Sequence, residues 1–97
     1  MERKTGEIAE LLKVLANEHR LAILCALIKG PRTVGALSES VPTIGQSALS
    51  QHLKLLKACG ILDSRKRGLS VTYSLADRRI EAVISTLKAQ YCDDGAP

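Results

Sequence analysis

A mainly α-helical domain with a helix-turn-helix and a β-hairpin wing is the fold that this 97-residue sequence predicts. Three observations lead there. The apolar residues are Leu, Ile, Val and Ala, with two Tyr and no Phe or Trp, a supply that suits helices. Apolar residues recur at helical spacing through most of the chain and change to period two only between residues 61 and 75. A short helix, a tight turn and a helix with one wholly polar side follow one another directly.

Each element has its own signal. Ile8, Leu11, Leu12 and Leu15 recur at i, i+3, i+4 and i+7 and predict an amphipathic helix over about residues 6–16. Asn17 is placed to cap a second helix, about 18–29, whose LAILCALI run is apolar nearly all round and predicts burial. Gly30-Pro31 stops it. Thr33 caps a third helix, about 34–40, with Val34, Leu37 and Val41 inward. VPTIG makes the turn, and QSALSQHLKLLKA forms the fourth helix, about 46–58, closed by Gly60. Val71, Tyr73 and Leu75 then alternate with Ser70, Thr72 and Ser74, with Gly68 at the turn of a hairpin whose tip reads RKRG. Ile80, Val83, Ile84, Leu87 and Tyr91 form one stripe of a last helix, about 77–91. The whole, residues 1–97, is one domain, with 1–5 and 93–97 expected to fray.

On the fourth helix, Gln46, Ser47, Ser50, Gln51, Lys54 and Lys57 fall within about 140° of arc, and no acid interrupts them. Ala48, Leu49, His52, Leu53, Leu55, Leu56 and Cys59 take the other side. The net charge of +4 is concentrated here: residues 46–70 carry Lys54, Lys57, Arg65, Lys66 and Arg67 against Asp63 alone. That is the footprint of a polyanion partner. In a DNA major groove, Gln bonds adenine edges and Ser bonds base edges or phosphates, while Lys suits phosphate. Arg65, Lys66 and Arg67 on the wing suit phosphate or the minor groove. A solvated surface helix would show the same polar face by itself; the element order, the charge localisation and the wing together favour DNA.

No apolar run is long enough to cross a bilayer, and the N-terminus is charged, so a cytoplasmic protein without a membrane partner is expected. In that compartment three cysteines do not make a disulfide framework. His52 lies in the apolar arc and reads as a hydrogen-bonded packing residue; Cys59 reads as a small inward hydrophobe. There is no Cys-x-x-Cys, and neither His is placed by sequence to activate a thiol, so an enzyme is not expected.

The stretches LLKVLANEHRLAILCAL, VGALSES and QSALSQHLKLLKACGIL and the RKRG wing resemble the ArsR/SmtB family of bacterial winged-helix repressors, over about residues 7–92. The resemblance implies a homodimer held by the first and last helices. Ile8, Leu11, Leu12, Leu15, Ile80, Val83, Ile84, Leu87 and Tyr91 are the residues for it. It also implies binding to an imperfect inverted repeat of double-stranded DNA near a promoter, on the bacterial nucleoid, with release on an inducer signal.

Many family members sense metals through thiolates in the third helix or through His and carboxylates on the last. Here VGALSES has neither Cys nor His, and the last helix offers Asp77 and Glu81 without His. Zinc needs about four such ligands, so no metal or other cofactor is expected; sensing of a metal or another ligand stands as the alternative. Read from the residues alone, Cys25 is a small core residue among apolar neighbours, with Lys29 the one nearby cation, and Cys92 is a tail thiol beside Asp93 and Asp94. The positions instead match the two sensing cysteines of the BigR/YgaV/HlyU-type branch. That resemblance implies that persulfides, polysulfides or an oxidant link Cys25 to Cys92 and release DNA.

Overall fold

The computed structural model describes the backbone of residues 2–92 and the side chains of residues 4–91. The fraying expected for residues 1 and 93–97 lies outside the described residues, as does the side chain of Cys92. The elements run α1 (Glu2–Leu15), α2 (Glu18–Ile28), β1 (Arg32–Thr33), α3 (Val34–Ser40), α4 (Gln46–Ala58), β2 (Leu62–Arg67), β3 (Ser70–Leu75) and α5 (Arg78–Leu87). A π-helical turn, Lys88–Cys92, follows α5.

Side-chain caps set the helix starts. Asn17 Oδ1 accepts the N–H groups of His19 and Arg20 at 3.0 and 3.1 Å. Thr33 Oγ1 accepts that of Ala36 at 3.1 Å, and Asp77 that of Arg79 at 2.9 Å. Each satisfies donors that a helix cannot pair internally. The α4 terminus is closed by backbone. Gly60, at φ +78°, donates to the Lys57 carbonyl at 2.9 Å, and Ile61 to that of Leu56 at 3.0 Å. This Schellman turn also packs buried Ile61 beside buried Leu56.

Two expectations change in detail, and one strand is added. α1 runs back to Glu2, through Glu, Arg and Lys, which are good helix formers. Regular α-helix ends at Leu87 rather than at residue 91. A two-residue strand, β1, pairs Arg32 with Tyr73 and Thr33 with Thr72, giving an antiparallel sheet of order β1-β3-β2. Cys59, expected inward, is exposed, because it is the C-cap residue where the chain turns out of the helix.

The hydrophobic core gathers around α2. Ile23, Leu24 and Leu27 are buried there, against Leu37 of α3, Leu49, Leu53 and Leu56 of α4, Tyr73 of β3, and Ile80 and Ile84 of α5. Each fully buried aliphatic side chain contributes about 1.5–3 kcal/mol of transfer free energy. β2 and β3 pair from Leu62↔Leu75 to Arg67↔Ser70, so the hairpin turns on Gly68 and Leu69. Gly68, at φ +58°, takes a backbone conformation natural to glycine.

Candidate nucleic-acid interface

The core decides which side of α4 is presented. Leu49, Leu53 and Leu56 are buried, and this pins the helix in rotation. Gln46, Ser47, Ser50, Gln51, Lys54 and Lys57 are all exposed, on the side that the helical arc assigns to them. Its N-cap, Gly45, provides no side-chain hydrogen bond, so the first-turn N–H groups and the positive end of the helix dipole face outward. Such a terminus favours a phosphate. Arg65, Lys66 and Arg67 are exposed on the wing, and Leu69 stands fully exposed at its tip.

The wing is held to the helix. Lys57 Nζ donates to Ser64 Oγ of β2 at 2.7 Å. Lys57 thus has a structural partner as well as the phosphate role that its place on the helix suggests. Sequence spacing gave no sign of this contact, since Ser64 is set beside α4 only by the turn at Gly60.

Behind α4, His52 is partly buried and accepts a hydrogen bond at Nδ1 from Arg20 Nε at 3.4 Å. Its ring is 5.8 Å from that of His19, tilted by 49°. Desolvation first, then the charges of Arg20 and His19, hold His52 below the usual histidine pKa. It is therefore the hydrogen-bonded packing residue that its arc position predicts. The Arg20 guanidinium also donates to the Val14 carbonyl of α1 at 3.1 Å, so one side chain joins the end of α1 to the back of α4.

The nine residues expected at a dimer interface divide in two. Leu15, Ile80 and Ile84 are buried within the single chain, where they fasten α1 and α5 to the core, and Leu11 is half-buried. Ile8, Leu12, Val83, Leu87 and Tyr91 are exposed, Leu12 at 51% and Tyr91 at 82%. Ile8, Leu12 and Val83 meet along one groove, while Leu87 and Tyr91 extend the exposed apolar stripe of α5 into the π turn. A groove of about 590 Å³ runs between α1 and the start of α5, with Cys59 on its wall.

Cys25 is half-buried and borders a different cleft, of about 430 Å³, together with Lys29, Arg32, Ser40 and Lys88. Lys29 was visible as a neighbour in sequence; Arg32 and Lys88 were not. Arg32 is fixed there, its Nε donating to the Ala26 carbonyl at 3.0 Å and its Nη1 to Ser40 Oγ at 3.3 Å. Lys88 opens the π turn whose last residue is Cys92. Among the described residues, no three His, Cys, Asp or Glu side chains group as a metal site would require. Asp77 is engaged as the α5 cap and pairs with Arg79 at 2.9 Å. No described helix is long and apolar enough to cross a membrane.

Comparison with known proteins gives a consistent set. The model of the bacterial regulatory proteins of the arsR family matches residues 17–64. The transcriptional activator HlyU of Vibrio cholerae is 41% identical over 92 residues, 95% of this chain and 84% of that protein. The structure of reduced HlyU from the same organism is similar with a TM-score of 0.87, over 95% of this chain and 96% of that one. The transcriptional repressor BigR from Xylella fastidiosa, 34% identical, reaches 0.88 over 95% of this chain and 93% of that one.

Proposed function

Because this chain belongs to the arsR family of bacterial regulatory proteins, beside HlyU and BigR, we propose that it is a homodimeric, operator-binding repressor that lets go of DNA when Cys25 and Cys92 are joined. The coarse part is plain: the chain is a winged helix-turn-helix DNA-binding transcriptional regulator, not an enzyme. The finer part is our reading.

One observation carries the DNA-binding geometry. α4, joined to the wing by the Lys57–Ser64 hydrogen bond, exposes amides, hydroxyls and lysines, and the wing exposes Arg65, Lys66 and Arg67. Gln46, Ser47, Ser50 and Gln51 enter the major groove by the N-terminal part of α4 and address base edges. Lys54 and Lys57 meet phosphates, and Arg65, Lys66 and Arg67 meet phosphate or the adjacent minor groove. Two copies joined through Ile8, Leu12, Val83, Leu87 and Tyr91 place two such units on an inverted repeat. A dimer lying across a promoter in this way excludes polymerase, which is why repression is the direction proposed. The protein acts in the cytoplasm, on the nucleoid when bound.

The switch rests on Cys25 and on the course of the chain after α5. Lys88 lines the Cys25 cleft, and the backbone of residue 92 lies one turn further along the same π segment. Glutathione persulfide is the two-electron oxidant we assign. The Cys25 thiolate attacks its outer sulfur, forming a Cys25 persulfide and expelling glutathione thiolate. The Cys92 thiolate then attacks the inner sulfur of that persulfide, closing the disulfide and expelling hydrosulfide. Two protein thiols and one persulfide become one disulfide, glutathione and hydrogen sulfide. A second persulfide can leave further sulfur in the bridge and relax the distance between the two residues. The link draws on α5 and the π turn, hence on the dimer face, and changes the spacing of the two α4 units.

Peptide mass spectrometry of the reduced protein after glutathione persulfide treatment, paired with fluorescence anisotropy on promoter DNA, tests this. The expected result is a Cys25–Cys92 linked peptide, Cys59 outside the link, and lower DNA affinity for the linked form. Unreacted Cys25 and Cys92, or a linked form that still binds DNA as the reduced one does, would overturn the switch.

A further inference from the structure

The cleft at Cys25 has a charge that the sensing reaction alone does not require. Lys29 comes from the end of α2, Arg32 from β1 and Lys88 from the π turn, and these three elements converge on one thiol. Among the described residues, no acid borders the cleft. Arg32 is held by Ala26 and Ser40, so its charge is fixed in place with two of its donors engaged by the protein. Neither Lys29 nor Lys88 forms an ion pair among the described residues. The carbonyl end of α2, which would repel an anion, is partly covered, because Arg32 takes the Ala26 carbonyl.

Cations on several sides of a partly enclosed space raise the local concentration of anions, and low-dielectric walls strengthen the effect. At about 430 Å³ the cleft is within the range of small-molecule sites. We propose that it is an anion-selective reagent site: Lys29 and Lys88 hold the carboxylates of a small thiol-derived compound, such as a peptide persulfide or disulfide, and bring its sulfur to Cys25. Resting on the sensing reading above, this names the chemical class of the inducer and makes Lys29 and Lys88 its specificity residues. Neutral and cationic reagents of equal intrinsic reactivity are disfavoured.

The probe reaction is a thiol–disulfide exchange. The Cys25 thiolate attacks one sulfur of a symmetric disulfide, forms a mixed disulfide and expels the other half as a thiolate; the thiol proton goes to buffer. The protein is the full chain with Cys59→Ser and Cys92→Ser, so that Cys25 alone reports. Rates are measured with 5,5′-dithiobis(2-nitrobenzoate), 2-hydroxyethyl disulfide and cystamine, which are anionic, neutral and cationic. Each rate is divided by that of the same reagent with 2-mercaptoethanol.

The normalised rate is expected to be about tenfold or more higher for the anionic than for the cationic reagent at low salt. Lys29→Gln with Lys88→Gln should bring the two within about twofold of each other while leaving the neutral rate in place. Circular dichroism confirms the fold of the variants. Equal normalised rates in the parent chain, or a preference that survives both substitutions, would overturn the proposal. The sensing reading fails separately. If the unmodified chain never links Cys25 to Cys92 but the charge preference is present, that reading falls and the anion site stands.

Discussion

Two exposed faces of this small protein differ in kind. The face of α4 and the wing exposes Gln, Ser, Lys and Arg, with all the large aliphatics of the helix except Leu55 turned into the core. The face of α1 and α5 exposes Ile8, Leu12, Val83 and Leu87, although the same two helices already bury Leu15, Ile80 and Ile84. One face is finished as a monomer surface and charged for a polyanion. The other is left unfinished and apolar, as expected where a second copy completes it. The Cys25 cleft belongs to neither face and is bordered by residues of α2, β1 and the turn after α5. Arg20 runs in parallel, joining the α1 end to the back of α4.

The strongest way to break the contrast is to exchange the two sides of α4. Leu53→Ala, on the packed side, should cost about 2–5 kcal/mol of unfolding free energy in urea denaturation. Gln51→Ala, two residues away on the presented side, should change stability by less than about 0.5 kcal/mol. It should weaken binding to the specific site by about 1–3 kcal/mol in anisotropy titrations.

Charging the apolar face comes next. Val83→Asp with Leu87→Asp should convert the dimer to a monomer in sedimentation velocity, at a cost on the order of 3 kcal/mol or more for two lost aliphatic contacts. Binding to an inverted repeat should fall with it, while a half-site is bound as weakly as before. A variant that remains dimeric would place the interface elsewhere.

Asp77→Ala tests how α5 is set at the edge of that face. Loss of this cap should cost about 1 kcal/mol. The side-chain hydrogen bond from Arg79, with further backbone and charge contributions, holds the Asp77 carboxyl below its ordinary 3.8, despite some opposing desolvation. Its contribution is therefore complete above pH 3.8 and is lost as the pH falls through the lower folded value. The acid limb of stability in the variant should be correspondingly flatter.

The smallest effect concerns the link between the regions. His52 is harder to protonate in the folded chain than its ordinary 6.5. Stability should be full above that pH and decline as the pH drops below it, and His52→Gln should flatten the thermal melting profile between pH 7 and 5.

Much of this was legible in the sequence, for reasons that particular residues make clear. The caps Asn17, Thr33 and Asp77 and the glycines at 60 and 68 act locally, so their roles show in neighbouring residues alone. The exposed side of α4 followed from a single helical period. What was hidden depends on long-range placement. Periodicity marks Ile80 and Ile84 as part of the same stripe as Val83 and Leu87, but only packing tells which pair faces the chain's own core. Cys59 continues the apolar arc in projection, yet the Schellman turn carries it outward. A two-residue strand such as β1 has no pattern to read. The meeting of Cys25, Arg32 and Lys88 spans more than sixty residues of sequence and shows only when α2, β1 and the π turn converge.

The division between a polyanion face and a pairing face is tested most directly by the salt dependence of duplex binding. The logarithm of affinity should fall steeply and linearly with the logarithm of salt concentration. Lys54→Gln should make that slope shallower by about one for each protomer's lost phosphate contact, uniformly across sequences. Ala in place of Leu12 or Tyr91 should leave the slope per bound protomer where it was. A shallow slope in the unmodified protein, or one that Lys54→Gln leaves unchanged, would contradict the assignment of α4 and the wing as the DNA-binding face.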